Sequence, residues 1–186
     1  MTNYNIIGIT GRKFSGKDTL GCYFVNHRNY IRFAYADALK NATRAIFDFN
    51  DEQLNGNKKE TIDEFWGVTP RQVLQFIGTD LFRNHGSELL PQVGNNIWIW
   101  VVKRKLKKIL DENPDAKIVI TDVRFENELN LIKELGGQII KVKREIQNNS
   151  DNHESEKYID ELYCDISVEN NGTISEFYDK IEKIIF

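Results

Sequence analysis

Residues 6–19 read Ile6-Ile7-Gly8-Ile9-Thr10-Gly11-Arg12-Lys13-Phe14-Ser15-Gly16-Lys17-Asp18-Thr19, an apolar run leading straight into a loop bracketed by glycines. Gly11 and Gly16-Lys17 have the Walker A spacing, four residues between the glycines and a lysine after the second. A loop of this kind wraps its backbone N–H groups around a triphosphate, and the helix that follows aims its N-terminus at the anion. Lys17 is expected to set an ammonium on the β- and γ-phosphates. Context supports the motif. Ile6, Ile7 and Ile9 read as a buried strand, and Leu20, Phe24 and Val25 fall on one side of a helix, so strand, loop and helix come in the required order. Asp18 stands where most such loops carry Ser or Thr, and the hydroxyl comes one place later, at Thr19.

Working outward, strands alternate with helices. A strand at 5–10 is followed by a helix to about His27, and 30–34 form a short second strand. Asp37 is expected to cap a helix through Phe47, with Leu39, Ala42 and Ile46 at helical spacing. Residues 50–64 read as a polar loop around Asn55-Gly56-Asn57. Thr69-Pro70 is a helix start, Thr as N-cap and Pro in the first turn, and that helix should carry Val73, Leu74, Ile77 and Leu81 inward as far as Arg83. Trp98–Leu110 is a further helix, stopped by Asn113-Pro114. The run Lys117-Ile118-Val119-Ile120-Thr121-Asp122 fits a strand buried on both faces. Glu126–Leu135 is helical and ends at Gly136-Gly137; strands at 138–142 and 164–168 and a helix at 174–184 complete the chain. This order predicts an α/β fold with a parallel sheet covered on both faces.

At 186 residues the chain suits one compact domain. No apolar segment is long enough to span a membrane, and Met1-Thr2-Asn3-Tyr4-Asn5 lacks the features of a signal peptide, so a cytoplasmic protein is expected. A net charge of −3 offers no global attraction for nucleic acid, and the basic run Lys103-Arg104-Lys105 with Lys107-Lys108 reads as a solvated helix face. Cys22 and Cys164 are expected as reduced core residues, and His27, His85 and His153 have no metal-ligand spacing. A switch GTPase would need a guanine-reading Asn-Lys-x-Asp after a later strand, and none is present.

Several side chains carry chemistry. Asp122 ends the most hydrophobic strand, at the carboxyl edge where open α/β sheets bind ligands. A carboxylate there can hold Mg²⁺ directly or through water, or cap the next helix. Arg124 points to the same edge and suits a phosphate, or else pairs with Glu126 or Glu128. Asp37 and Lys40 follow the second strand, again at the binding edge. Arg71, Gln75 and Thr79 are spaced by four with Arg83 a turn further, a stripe suited to a second phosphate and a base, or to solvent. Lys141, Lys143 and Arg144 lead into a polar stretch through His153-Glu154-Ser155-Glu156, which reads either as a lid over the phosphoryl group or as a surface loop.

Taken together the chain resembles the deoxynucleoside monophosphate kinases of bacteriophages and large DNA viruses. The segments that carry the resemblance are Gly11–Thr19, Phe33–Lys40, Thr69–Arg83, Asp122–Glu128, His153–Glu156 and the turn Val168–Gly172. Ala38 stands where a proline is expected, and Tyr35 and Glu154 are unusual in their motifs, departures that bear on fine substrate choice. The resemblance implies a three-layer P-loop NTPase fold of the nucleoside monophosphate kinase type, with roughly five parallel strands. It implies a single domain over 1–186, with a substrate-binding helical region near 37–100 and a lid near 143–157.

The implied reaction moves the γ-phosphoryl of ATP, with Mg²⁺, to a deoxynucleoside 5′-monophosphate, for DNA precursor synthesis in the host cytoplasm. Gly11, Arg12, Lys13, Ser15, Gly16, Lys17, Asp18 and Thr19 would bind ATP, and the turn Asn170-Asn171-Gly172, with Asn171 and Gly172 foremost, would lie against its adenine or else simply end the strand. Arg71, Arg83 and Arg124 would surround the acceptor phosphate, joined on the substrate side by Asp37, Lys40, Gln75, Thr79, Trp98 and Asp122. Lys17, Arg124, Arg144 and Lys13 would be the catalytic cations, and Asp18 and Asp122 would face the metal. Neither nucleic acid nor a membrane is an expected partner, and a homodimer is one candidate assembly. Two other readings stay open on sequence. One is a kinase resembling animal-type phosphomevalonate kinases, which have a similar Gly-Lys-Asp loop. The other is an ATP-binding module without catalysis.

Overall fold

The computed structural model describes residues 5–145 and 159–185. Contacts divide the chain into two compact units, Met1–Ala34 with Lys105–Phe186, and Tyr35–Arg104.

The first unit is built on a parallel sheet. Its strands are β1 (Ile6–Thr10), β2 (Ile31–Phe33), β3 (Ile118–Val123), β4 (Gln138–Lys143) and β5 (Ile166–Glu169), in the order β2-β3-β1-β4-β5. Every neighbouring pair is parallel. The central strand β1 is buried throughout, as its run of isoleucines requires. Ile7 and Ile9 face one core with Leu20 and Phe24 of α1 (Lys17–Arg28), and with Phe177 and Ile181 of the last helix, α8 (Ile174–Ile185). Gly8 points the other way, where an added Cβ would meet Ile132 of α7 (Glu126–Glu134) at 2.5 Å. Helices therefore cover both faces.

The second unit is helical, with its own core of Phe49, Leu54, Val73, Leu74 and Ile77, against which Leu39, Phe47, Val68 and Phe82 pack. It holds α2 (Ala36–Phe47), α3 (Asp51–Leu54), a 3₁₀ turn (Asn57–Glu60), α4 (Pro70–Gln75), α5 (Gly86–Leu89), and the start of α6 (Ile97–Glu112). Thr69 caps α4 in a reciprocal box with Gln72: the Thr69 hydroxyl accepts from the Gln72 N–H, and the Gln72 side chain accepts from the Thr69 N–H.

Several expectations need correction. Residues 50–64 are not all loop, because Asn50 and Gln53 form a second capping box that starts α3. Asp37 lies in the first turn of α2 rather than at its cap, which is Tyr35. On α2 it is Thr43 that is buried and Ile46 that is 62% exposed; the Thr43 hydroxyl donates back to the Leu39 and Lys40 carbonyls, so its burial leaves no polar group unmet. On α1, Tyr23 is buried in place of Val25. The helix from Pro70 does not continue as α: Phe76–Asn84 is a π-helix. Its i→i+5 spacing sets Phe82, not Leu81, over Ile77, and Leu81 is 47% exposed. Cys22 is exposed and Cys164 half-buried, both as free thiols, so neither is a core residue. The basic face of α6 is exposed as expected, with Val102 and Leu106 turned inward. Among the described residues no helix is long and apolar enough to cross a membrane.

Candidate active site

The loop between β1 and α1 is shaped by backbone conformations that few residues adopt. Gly11 (φ 147°) and Gly16 (φ 104°) have positive φ, where only glycine is unstrained. Each is also tightly enclosed: a Cβ on Gly11 would lie 2.4 Å from the Val142 carbonyl oxygen, and one on Gly16 would lie 2.2 Å from Asn170 Nδ2. Phe14, at the loop's apex, is left-handed (φ 64°) although not glycine, a strained conformation of the kind that gathers at functional sites. Lys17 is buried, and its Nζ donates to the Gly11 and Arg12 carbonyls at 2.6 Å each, which holds the ammonium at the loop's centre. The hydroxyls of Thr10 and Ser15 are buried with no hydrogen-bond partner among the described residues. Together with the loop's N–H groups, the Ser15 hydroxyl and Lys17 are the donor set an anion requires.

Two features shape the end of β3 around Asp122. Gly21 lets α1 press against β3, since a Cβ there would lie 2.6 Å from Thr121 Cγ2. The β1–β3 register also slips between Gly8 and Thr10, pairing Gly8 with Ile120 but Thr10 with Val123. One extra residue of β3, within Thr121–Asp122, is accommodated there, as bulges do where a side chain is re-aimed. Asp122 is half-buried and is not the cap of α7. Buried Glu128 does that work, accepting from the N–H groups of Arg124 (2.9 Å) and Phe125 (3.3 Å). Glu128 thus engages the backbone of Arg124 and fixes the turn that carries its side chain.

A pocket of ≈ 480 Å³ brings together Gly11, Arg12, Ser15, Lys143, Arg144, Asp160 and Asn171. Arg12 is paired there with Asp160, Nε to Oδ2 at 3.0 Å. Lys141, next along β4, is buried and is not a lid cation: its ammonium donates to the Asp160 carbonyl at 2.8 Å and to that of Leu162. Asn171 Oδ1 accepts from the Glu145 N–H at 2.9 Å, linking the ends of β4 and β5. Gly172 precedes the start of α8, where the Glu176 carboxylate accepts from the Thr173 N–H and hydroxyl; these bonds hold its pKa below the ordinary value. Arg124 lines a separate groove of ≈ 680 Å³ with Phe125, Lys133 and Tyr163. Asp18 is exposed and Thr19 and Lys13 half-buried, with Lys13 Nζ 5.2 Å from the Phe14 ring centre. His153–Glu156, and the expected lid beyond residue 145, lie outside the described residues.

The remaining expected residues belong to the helical unit. Asp37 and Lys40 lie half-buried in the first turns of α2. Arg71, Gln75, Thr79 and Arg83 are all half-buried, so the stripe is neither core nor fully solvated. Arg71 pairs with Glu60. Thr79 and Arg83 sit in the π-helix, which is secured at Gly78: the Trp98 indole N–H donates to the Gly78 carbonyl at 2.9 Å, and Leu39 lies 2.6 Å from where a Gly78 Cβ would be. Trp98 thus has a structural task within this unit. Sequence reasoning missed the π-helix, since spacing by four was read as α-helical throughout. It placed Asn170 in the turn expected against adenine but missed its buried contact with the loop, where its Nδ2 donates to the Ser15 carbonyl at 2.9 Å.

A deoxynucleotide monophosphate kinase of Enterobacteria phage T4 is 24% identical over 163 residues, covering 82% of this chain and 63% of the phage protein. A candidate deoxynucleotide monophosphate kinase of Acanthamoeba polyphaga mimivirus is 41% identical over 180 residues, covering 95% of this chain and 93% of the viral one. The fold is similar to that of a dephospho-CoA kinase from Campylobacter jejuni, with TM-score 0.53 and 14% identity over 97% of this chain and 95% of that one. The protein TT1252 from Thermus thermophilus is comparable, at TM-score 0.51 and 19% identity over 96% and 94% of the two chains. The family model described as deoxynucleotide monophosphate kinase matches residues 45–181. The chain belongs to the deoxynucleotide monophosphate kinase family.

Proposed function

We propose that this protein transfers the γ-phosphoryl group of ATP to a deoxynucleoside 5′-monophosphate, giving the deoxynucleoside diphosphate and ADP. The observation that carries this reading is the reach of the family match, residues 45–181, which begins after the phosphate loop. A relative 41% identical aligns over 95% of the chain, so the family similarity takes in both the Gly11–Thr19 loop and the helical unit and supports donor and acceptor together.

The chemistry asks little of a general base. An acceptor phosphate oxygen is already anionic near neutral pH; it attacks the γ-phosphorus, and the bond to the β,γ-bridging oxygen breaks, leaving ADP. Catalysis is then positioning and charge neutralisation. In this reading Lys17 and the loop N–H groups hold the donor phosphates, Lys13 and Arg144 face the phosphoryl group, and Arg71, Arg83 and Arg124 hold the acceptor. Asn171 and Gly172 lie against adenine, while Asp37, Lys40, Gln75, Thr79 and Trp98 contact the acceptor nucleotide.

Magnesium, when bound, would neutralise charge on the transferring phosphates. It needs only one or two protein carboxylates beside the phosphates and water, so Asp122 and Asp18, with the Thr19 hydroxyl, fit that task. The pairs Arg12–Asp160 and Arg71–Glu60 are solvent-exposed enough to be weak, about 0–1 kcal/mol each. Charge-assisted bonds to phosphate can displace them.

The test is ADP formation from ATP across deoxy- and ribonucleoside monophosphates, with phosphomevalonate as control. Turnover is expected with at least one deoxynucleotide; none with any of them would refute the reading. Light scattering checks the proposed homodimer.

A further inference from the structure

Asn170 is assigned no role by the loop motif, yet it makes a buried side-chain contact with the loop. It follows β5, is 8% exposed, and is fixed by its own N–H, which donates to the Lys143 carbonyl at 2.7 Å. Its side-chain amide reaches across to donate to the Ser15 carbonyl at 2.9 Å. That carbonyl belongs to the Ser15–Gly16 peptide, whose plane also carries the Gly16 N–H. In a trans peptide the C=O and N–H point in opposite directions. Whatever holds the carbonyl therefore aims the N–H. The fit is close as well: Asn170 Nδ2 occupies the space a Gly16 side chain would need, 2.2 Å from an added Cβ. Two features named for separate reasons, the second glycine of the loop and the asparagine after β5, thus depend on each other.

We infer that Asn170 is a positioning residue for the phosphate loop, holding the Ser15–Gly16 peptide so that the Gly16 N–H is presented to the donor phosphates. This rests on the ATP-binding reading above and deepens it. The neighbouring Asn171–Gly172 turn is proposed to lie against adenine; Asn170 acts on the phosphates instead, through the backbone. Its effect must then be independent of the base.

The experiment is isothermal titration of wild type, Asn170→Ala and Asn170→Asp with ATP and with inorganic tripolyphosphate, which has no base. The Asp variant is nearly isosteric and replaces the donor with an oxygen facing the Ser15 carbonyl. Both variants are expected to lose affinity for both ligands by the same factor, roughly tenfold or more, the scale of one buried hydrogen bond. In steady state the KM for ATP should rise while that for the deoxynucleotide stays within about twofold, a split that general loosening would not give. Loss for ATP alone would make Asn170 an adenine contact and overturn the inference, as would unchanged binding of both. If the Ala variant has melted at the assay temperature, the Asp variant decides by the same criteria. A wild type that binds neither ligand would overturn the ATP-binding reading, and this inference with it; that failure is visible before any variant is made.

Discussion

The phosphate loop and the helical unit differ in what makes them specific. In the loop the backbone does most of the work: Gly11, Phe14 and Gly16 take left-handed or positive-φ conformations, Lys17 is tied to the loop's own carbonyls and the Ser15 carbonyl is held by Asn170, and the proposed ligand contacts are main-chain N–H donors. In the helical unit the candidate groups are side chains, Arg71, Gln75, Thr79 and Arg83, displayed on a helix that changes from α to π at Phe76. A backbone-made site constrains sequence tightly and leaves a motif. A side-chain site on an irregular helix leaves only spaced polar residues, and can vary with the acceptor.

This contrast can be broken by mutation. Lys17→Ala should have the largest effect, lowering kcat/KM by on the order of a hundredfold or more, since it removes a cation preorganised at the transferring phosphates. A change within a few-fold would mean that the loop is not the donor site. Next, Arg83→Ala should raise the KM for the deoxynucleotide by roughly tenfold, the loss of one charge-assisted contact to phosphate, with the KM for ATP little changed. If both constants rise together, the division between donor and acceptor residues fails.

Two smaller effects sharpen the comparison through stability. Asp165 joins β4, α7 and the start of β5: its carboxylate accepts from Lys133 Nζ and the Ile139 N–H, both at 2.7 Å, and from the Tyr163 hydroxyl at 3.0 Å. Burial alone would raise its pKa, but these bonds outweigh it and hold the carboxyl below its ordinary value. Its contribution is therefore present in full above the unfolded carboxyl's pKa and is lost as pH falls through the folded one. Asp165→Asn should cost about 1–3 kcal/mol near neutral pH. The gap from wild type should close in acid, as read by urea unfolding across pH. Thr69→Ala removes one side of the α4 capping box and should cost about 1 kcal/mol. Hydrogen exchange should show that loss within Tyr35–Arg104 rather than in the sheet.

The same contrast explains what the sequence revealed. The apolar strands, the Walker spacing and the Thr69-Pro70 start were legible because each is a local rule with a local signature. The register slip that accommodates a residue within Thr121–Asp122 was not, because it depends on β1 and β3 being paired. Leu81 was misplaced because helical spacing assumes an α-helix, and the π geometry is maintained by distant groups, the Trp98 indole and Leu39, around Gly78. The Glu128 cap beside Arg124 and the Asn170 contact with Ser15 were hidden for the same reason: their partners are named only by the fold.

The most direct test of the central claim follows the γ-phosphoryl group itself. Phosphorus NMR of the protein with ATP, Mg²⁺ and a deoxynucleoside monophosphate should show the γ-phosphate signal of ATP replaced by the β-phosphate signals of the deoxynucleoside diphosphate and ADP in equal amounts. Free inorganic phosphate with no deoxynucleoside diphosphate, or an unchanged ATP spectrum, would contradict it.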